Sequence, residues 1–111
     1  MNDSILSTIK EILSNGSYFE PDLILYANSA FSILNQIGIG PESGFRITGD
    51  SETWGSLGLE PRILDMVKDY IIAKTRLKFD PPQNSYLLTS LRETISELEF
   101  RLNIEEDPKD N

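Results

Sequence analysis

The chain has 111 residues, 39% of them hydrophobic and 25% charged, which suits one domain with one core. It holds no cysteine and no histidine, which excludes disulfides, thiolate metal sites and every catalytic arrangement built on imidazole. Its net charge of −8 disfavours sequence-specific binding to nucleic acid, whose phosphates an acidic surface repels.

Residues 3–15 predict a short first helix. Asp3 or Ser4 can cap it, Ile5, Leu6, Ile9, Ile12 and Leu13 form one apolar stripe, and Gly16 is placed to stop it. About three turns are marginal alone, so this helix must dock on something. A second helix is expected from Pro21 to Ile37. Pro21 suits the first turn, and Glu20 and Asp22 suit the positive end of the dipole. Leu23, Ile24, Ala27, Ala30, Phe31, Leu34 and Ile37 give it a broad core face.

Residues 38–60 differ in kind. Six of the seven glycines lie here, and a connection this long needs a function or structure of its own. Phe45-Arg46-Ile47-Thr48 alternates apolar and polar, Gly49 to Glu52 has turn composition, and Thr53-Trp54 could return, so a small β-hairpin is the expectation. Phe45, Ile47, Trp54 and Leu57 are the large apolar groups such a loop offers. They are the candidate contact to a neighbouring subunit, with Trp54 as its anchor. The alternative is that Trp54 covers the domain's own core.

A third helix is expected from Arg62, with Ile63, Val67, Tyr70, Ile71 and Leu77 on one face. Asp80, Pro81 and Pro82 form a stiff corner: Pro81 disfavours helical backbone at Asp80, and two prolines supply no N–H. The fourth helix begins either at once, capped by Asp80, or later, with Asn84 or Ser85 as cap. It carries a seam of Leu88, Leu91, Ile95, Leu98 and Leu102 and runs to Asn103. Leu64, Ile72, Tyr86, Leu87 and Phe100 fall off these two seams, and that apolar surplus points to association. The fold class is therefore all-α, a four-helix domain over residues 1–103 with a long glycine-rich loop between helices two and three. Residues 104–111 follow as an acidic tail.

The charge is uneven. Residues 1–60 carry eight acids against Lys10 and Arg46, the third helix is basic, and eight acids from Asp80 onward face Arg92, Arg101 and Lys109. The carboxylates sit at caps and ends or pair across a helix turn, as Glu97 does with Arg101. No calcium-loop pattern, phosphate cradle or glycosidase-type cleft is present. No enzyme activity, metal or cofactor is expected. No apolar run spans a membrane and no basic-then-apolar leader opens the chain, so synthesis in the cytoplasm is the expectation.

Five segments in order carry a resemblance: Phe31-Ser-Ile-Leu-Asn-Gln-Ile-Gly38; Gly40-Pro-Glu-Ser-Gly-Phe45; Thr53-Trp54; Lys74-Thr-Arg-Leu-Lys-Phe-Asp-Pro-Pro82; and Ile95-Ser-Glu-Leu-Glu-Phe-Arg-Leu-Asn103. Together, over residues 20–105, they resemble the head-tail connector (adaptor) proteins of tailed bacteriophages and prophages. Lys78 stands where an apolar residue is expected, and Phe100 where a tryptophan is usual. The resemblance implies a helical virion protein of the phage neck, present in the host cytoplasm before assembly. It implies a dodecameric ring beneath the portal that extends the DNA channel and offers a platform to a stopper or tail completion protein. Double-stranded DNA would pass through without specific binding. By position, the resemblance also assigns Ile104, Glu105, Glu106, Asp107 and Pro108 to docking on the portal.

A reading from another class is a small acidic phage-encoded binder or inhibitor of a host protein that mimics DNA. Its mark would be acids in regular rows on one face. Here they concentrate at caps and ends.

Overall fold

A computed structural model describes residues 3–13 and 20–106, the last of these by its backbone. Four α-helices follow one another: α1 (Ile5–Leu13), α2 (Glu20–Ile37), α3 (Pro61–Phe79) and α4 (Ser85–Glu106). A single 3-10 turn (Trp54–Leu57) lies between α2 and α3. No strand occurs among the described residues, so the fold is all-α.

The helix starts follow local chemistry. Ser4 caps α1: its Oγ accepts from the Ser7 N–H (3.2 Å), while its carbonyl takes the Thr8 N–H (3.1 Å). Pro21 sits in the first turn of α2, next to Glu20 and Asp22. Pro61 opens α3 one residue ahead of the expected Arg62, because a proline there costs no hydrogen bond. Of the two starts open for α4, the later is realised. Asn84 Oδ1 accepts from the Tyr86 N–H (2.8 Å) and the Leu87 N–H (3.2 Å). Asp80 instead closes α3, donating its N–H to the Arg76 carbonyl (2.8 Å).

The ends are as specific. At the close of α2, Gly38 adopts a φ of 105°, which a side chain resists, and the Ile39 N–H reaches back to the Leu34 carbonyl (2.9 Å). That reversal drops Ile39 into the core. The stop expected at Gly16 lies outside the described residues. At the other end of the chain, α4 runs through Glu106, so residues 104–106 form its last turn and not the start of a separate tail.

α3 is the central element. It packs along both α2 and α4, and α1 lies across α3 and α2. The α3–α4 pair is antiparallel. The Tyr70 hydroxyl donates to Glu99 Oε2 (2.7 Å), and Arg62, earlier on α3, bonds Glu105, later on α4. The core draws Ile5, Leu6 and Ile9 from α1, and Leu23, Ala27, Ala30, Phe31 and Leu34 from α2. Val67, Tyr70 and Ile71 come from α3, and Ile95, Leu98 and Leu102 from α4. The seam of α4 thus holds in its second half, whereas Leu88 and Leu91 are half-buried. Leu64, expected off the seam, is buried, because α3 is covered on two sides by α2 and α4.

Candidate functional site

The first candidate surface was the loop between α2 and α3, and the structure corrects that expectation. Ile47, Trp54 and Leu57 are buried in the domain's own core, and Trp54 has no exposed surface at all. Phe45 is half-buried, its ring tilted against Phe31 at a centroid distance of 5.0 Å. None of the four stands out from the surface as a free anchor.

Two polar side chains explain why. Asn28 presents its amide to the backbone of Ile47: Oδ1 accepts the Ile47 N–H (2.8 Å) and Nδ2 donates to the Ile47 carbonyl (3.0 Å). One side chain therefore supplies both bonds that a partner strand would have supplied. On α1, Thr8 Oγ1 accepts the indole N–H of Trp54 (3.0 Å) and donates to the Ser4 carbonyl (2.9 Å). Lys68 Nζ covers the same indole at 5.7 Å from its centroid.

The hairpin's return arm has a different partner as well. Thr53 forms an antiparallel bridge with Ser4, through the Ile5 N–H to the Glu52 carbonyl (3.0 Å) and the Trp54 N–H to the Asp3 carbonyl (3.1 Å). The segment entering α1 has taken the place expected for Phe45 to Thr48. The turn between is held by Glu52 Oε2, which accepts from the N–H (3.1 Å) and hydroxyl (2.8 Å) of Thr48. Burial acts to raise the Glu52 carboxyl, but hydrogen bonds from Thr48 and from the backbone of Gly49 and Glu52 together outweigh it and hold the group below the ordinary glutamate range.

With the loop absorbed, the exposed apolar groups lie elsewhere. Along α4, Tyr86 is 78% exposed, Leu87 52%, Phe100 68% and Ile104 55%. Tyr86, Phe100 and Ile104 share the side opposite the buried Ile95 and Leu102, with the exposed carboxylates of Glu93 and Glu97 between them. Arg101 bonds Glu97 across one turn (3.4 Å). Where α4 ends, Ile104 and Glu105 border a cleft with Arg62, Met66 and Arg101. Of the residues assigned to portal docking, Ile104, Glu105 and Glu106 are thus on the last turn of α4, while Asp107 and Pro108 lie outside the described residues.

Among the described residues no group of three or more acidic side chains is placed to hold a metal ion. No described helix is long and apolar enough to cross a membrane.

A family model described as phage connector protein matches residues 5–109. The chain belongs to the phage connector protein family. The match spans all four helices, and it agrees with the resemblance carried by the segments from Phe31 to Asn103. No curated protein and no solved structure matches the chain. A connector joins one protein to the next, and among the described residues its exposed large apolar groups are Tyr86, Leu87, Phe100 and Ile104 on α4, Ile12 on α1 and Leu25 on α2.

Two of the residues that build this arrangement, Asn28 and Thr8, escaped the sequence reading. Each is a polar residue one helical turn from core positions, beside Ala27 and Phe31 on α2 and beside Ile5 and Ile9 on α1. A hydrogen-bonding side chain at the border of an apolar stripe was the available signal.

Proposed function

We propose that this phage connector forms a dodecameric ring beneath the portal, extends the DNA channel, and offers a platform to the stopper or tail completion protein. It is a component of the virion neck, present in the host cytoplasm before assembly. The observation that carries the reading is the family match combined with a self-contained core that still leaves large apolar groups on the outer side of α4. A monomer has no use for Tyr86 and Phe100 in water, whereas a subunit does.

The C-terminal segment from Ile104 to Pro108 docks on the portal. Its support is the cleft at the end of α4, where Ile104 is exposed beside Met66 and the acidic chain continues. Double-stranded DNA passes through the ring without specific binding, an arrangement the net charge of −8 favours, since an acidic wall does not hold phosphate. The protein acts as a structural part and not as an enzyme. Imaging the protein on portal-bearing capsids tests the reading: a ring of connector density below the portal is expected, and an undecorated portal would overturn it.

A further inference from the structure

We propose that subunits join end to end through α3 and α4, the corner end of one copy seating on the outer side of α4 in the next. This assignment rests on the ring reading and names the surfaces that would close it. The α3–α4 pair is electrically polar. Its corner end carries Lys74, Arg76, Lys78 and Arg92 against Asp80, and among the described residues none of these four cations has a carboxylate within ion-pair distance. The distal half of α4 carries Glu97, Glu99, Glu105 and Glu106 against Arg101 and the Arg62 of α3 that pairs with Glu105, and Glu93 lies on the same outer side near the middle of the helix. Each end also bears exposed apolar groups, Tyr86 and Leu87 at the corner and Phe100 on the distal half.

Charge therefore matches between unlike ends and clashes between like ends, while either end offers apolar groups to the contact. A closed pair of copies, lying antiparallel along their α4 outer sides, would also bring unlike ends together. It would, however, set Glu93 of each copy against Glu97 of the other, four carboxylates at the centre of the contact. An end-to-end contact avoids that repulsion and leaves one free end of each kind, the property a ring needs. The two prolines of the corner stiffen the backbone between Lys78 and Tyr86, so little backbone order is lost on docking. Ile104 and the residues beyond it remain available to the portal.

The experiment is a charge exchange, read by copy number on portal-bearing capsids and by sedimentation. One variant combines Arg76→Glu with Lys78→Glu; the other combines Glu93→Lys with Glu97→Lys. All four positions are exposed or helix-surface sites, and circular dichroism should match wild type for both. Each variant alone should assemble about a hundredfold more weakly, because each like-charged junction is repulsive. An equimolar mixture of the two, and the chain carrying all four changes, should both recover the ring. Rings formed by each variant alone as readily as by wild type overturn the end-to-end contact and leave the ring reading standing. Loss in each variant without recovery in the mixture also overturns it, and points to a different cationic partner for α4. Failure of wild type itself to decorate the portal overturns both.

Discussion

Trp54 and Thr8 meet across 46 residues of chain, the indole N–H donating to the threonine hydroxyl at 3.0 Å. That bond ties the connection between α2 and α3 to the first helix, and it places the chain's single tryptophan in the core. Replacing Trp54 with Ala should cost about 3–5 kcal/mol, the range for emptying a large buried aromatic site. The check is chemical denaturation. Tryptophan emission should already be blue-shifted in the free subunit and stay unchanged on assembly; a red-shifted free subunit would contradict this packing.

Tyr70 makes a second long-range bond, to Glu99, that sets α4 against α3. Burial, with the hydrogen bond and charge of Glu99 adding to it, pushes the Tyr70 hydroxyl far above its ordinary value. A value raised in the folded state means the stabilisation is full below the ordinary tyrosine range near ~10 and is lost as pH climbs above it, because the unfolded chain ionises first. Ultraviolet titration should show a late tyrosine step coinciding with alkaline unfolding, and Tyr70→Phe should remove it. The same substitution should cost about 1–2 kcal/mol at neutral pH.

The fold was largely readable because helices announce themselves over long, periodic stretches. The stripe Leu23, Ala27, Ala30, Phe31, Leu34 and the seam Ile95, Leu98, Leu102 are each one face of a helix, and each is buried. The corner at Asp80, Pro81 and Pro82 followed from missing N–H groups alone. The loop was less readable, since Phe45 to Thr48 has strand-like alternation and its true partner is a side chain, Asn28, 19 residues earlier. Local pattern reports that a backbone needs hydrogen bonds. It does not report which distant group supplies them. Trp54 turns inward for the same reason: its partners Thr8 and Lys68 are remote in sequence. Phe100, Tyr86 and Leu87 were legible as surplus because they lie off a seam whose period is unambiguous.

On α4, burial now ranks the seam positions. Ile95→Asp places a charge at a site only 5% exposed, at a cost of several kcal/mol, on the order of the whole stability of a small domain. Leu91 is half-buried and its aspartate can reach water, so Leu91→Asp should be milder. Thermal melts by circular dichroism should rank Ile95→Asp well below Leu91→Asp; equal melting would mean that α4 packs on another face.

Truncation separates the tail from the helix. Removing residues 107–111 leaves α4 and the bond between Arg62 and Glu105 intact, so melting should match wild type. Portal binding should fall sharply in a pull-down. Removing residues 104–111 also takes the last turn of α4, and the melt should then shift downward as well. Full portal binding by both truncated chains would remove the docking role from this segment.

The central claim is that this connector is a ring subunit on the portal, and imaging the purified protein with portal-bearing capsids tests it most directly. The account predicts a closed ring of twelve copies coaxial with the portal, a channel through its centre wide enough for duplex DNA, and the C-terminal ends of α4 directed at the portal. A connector bound as isolated single copies, or absent from the portal vertex, would contradict it.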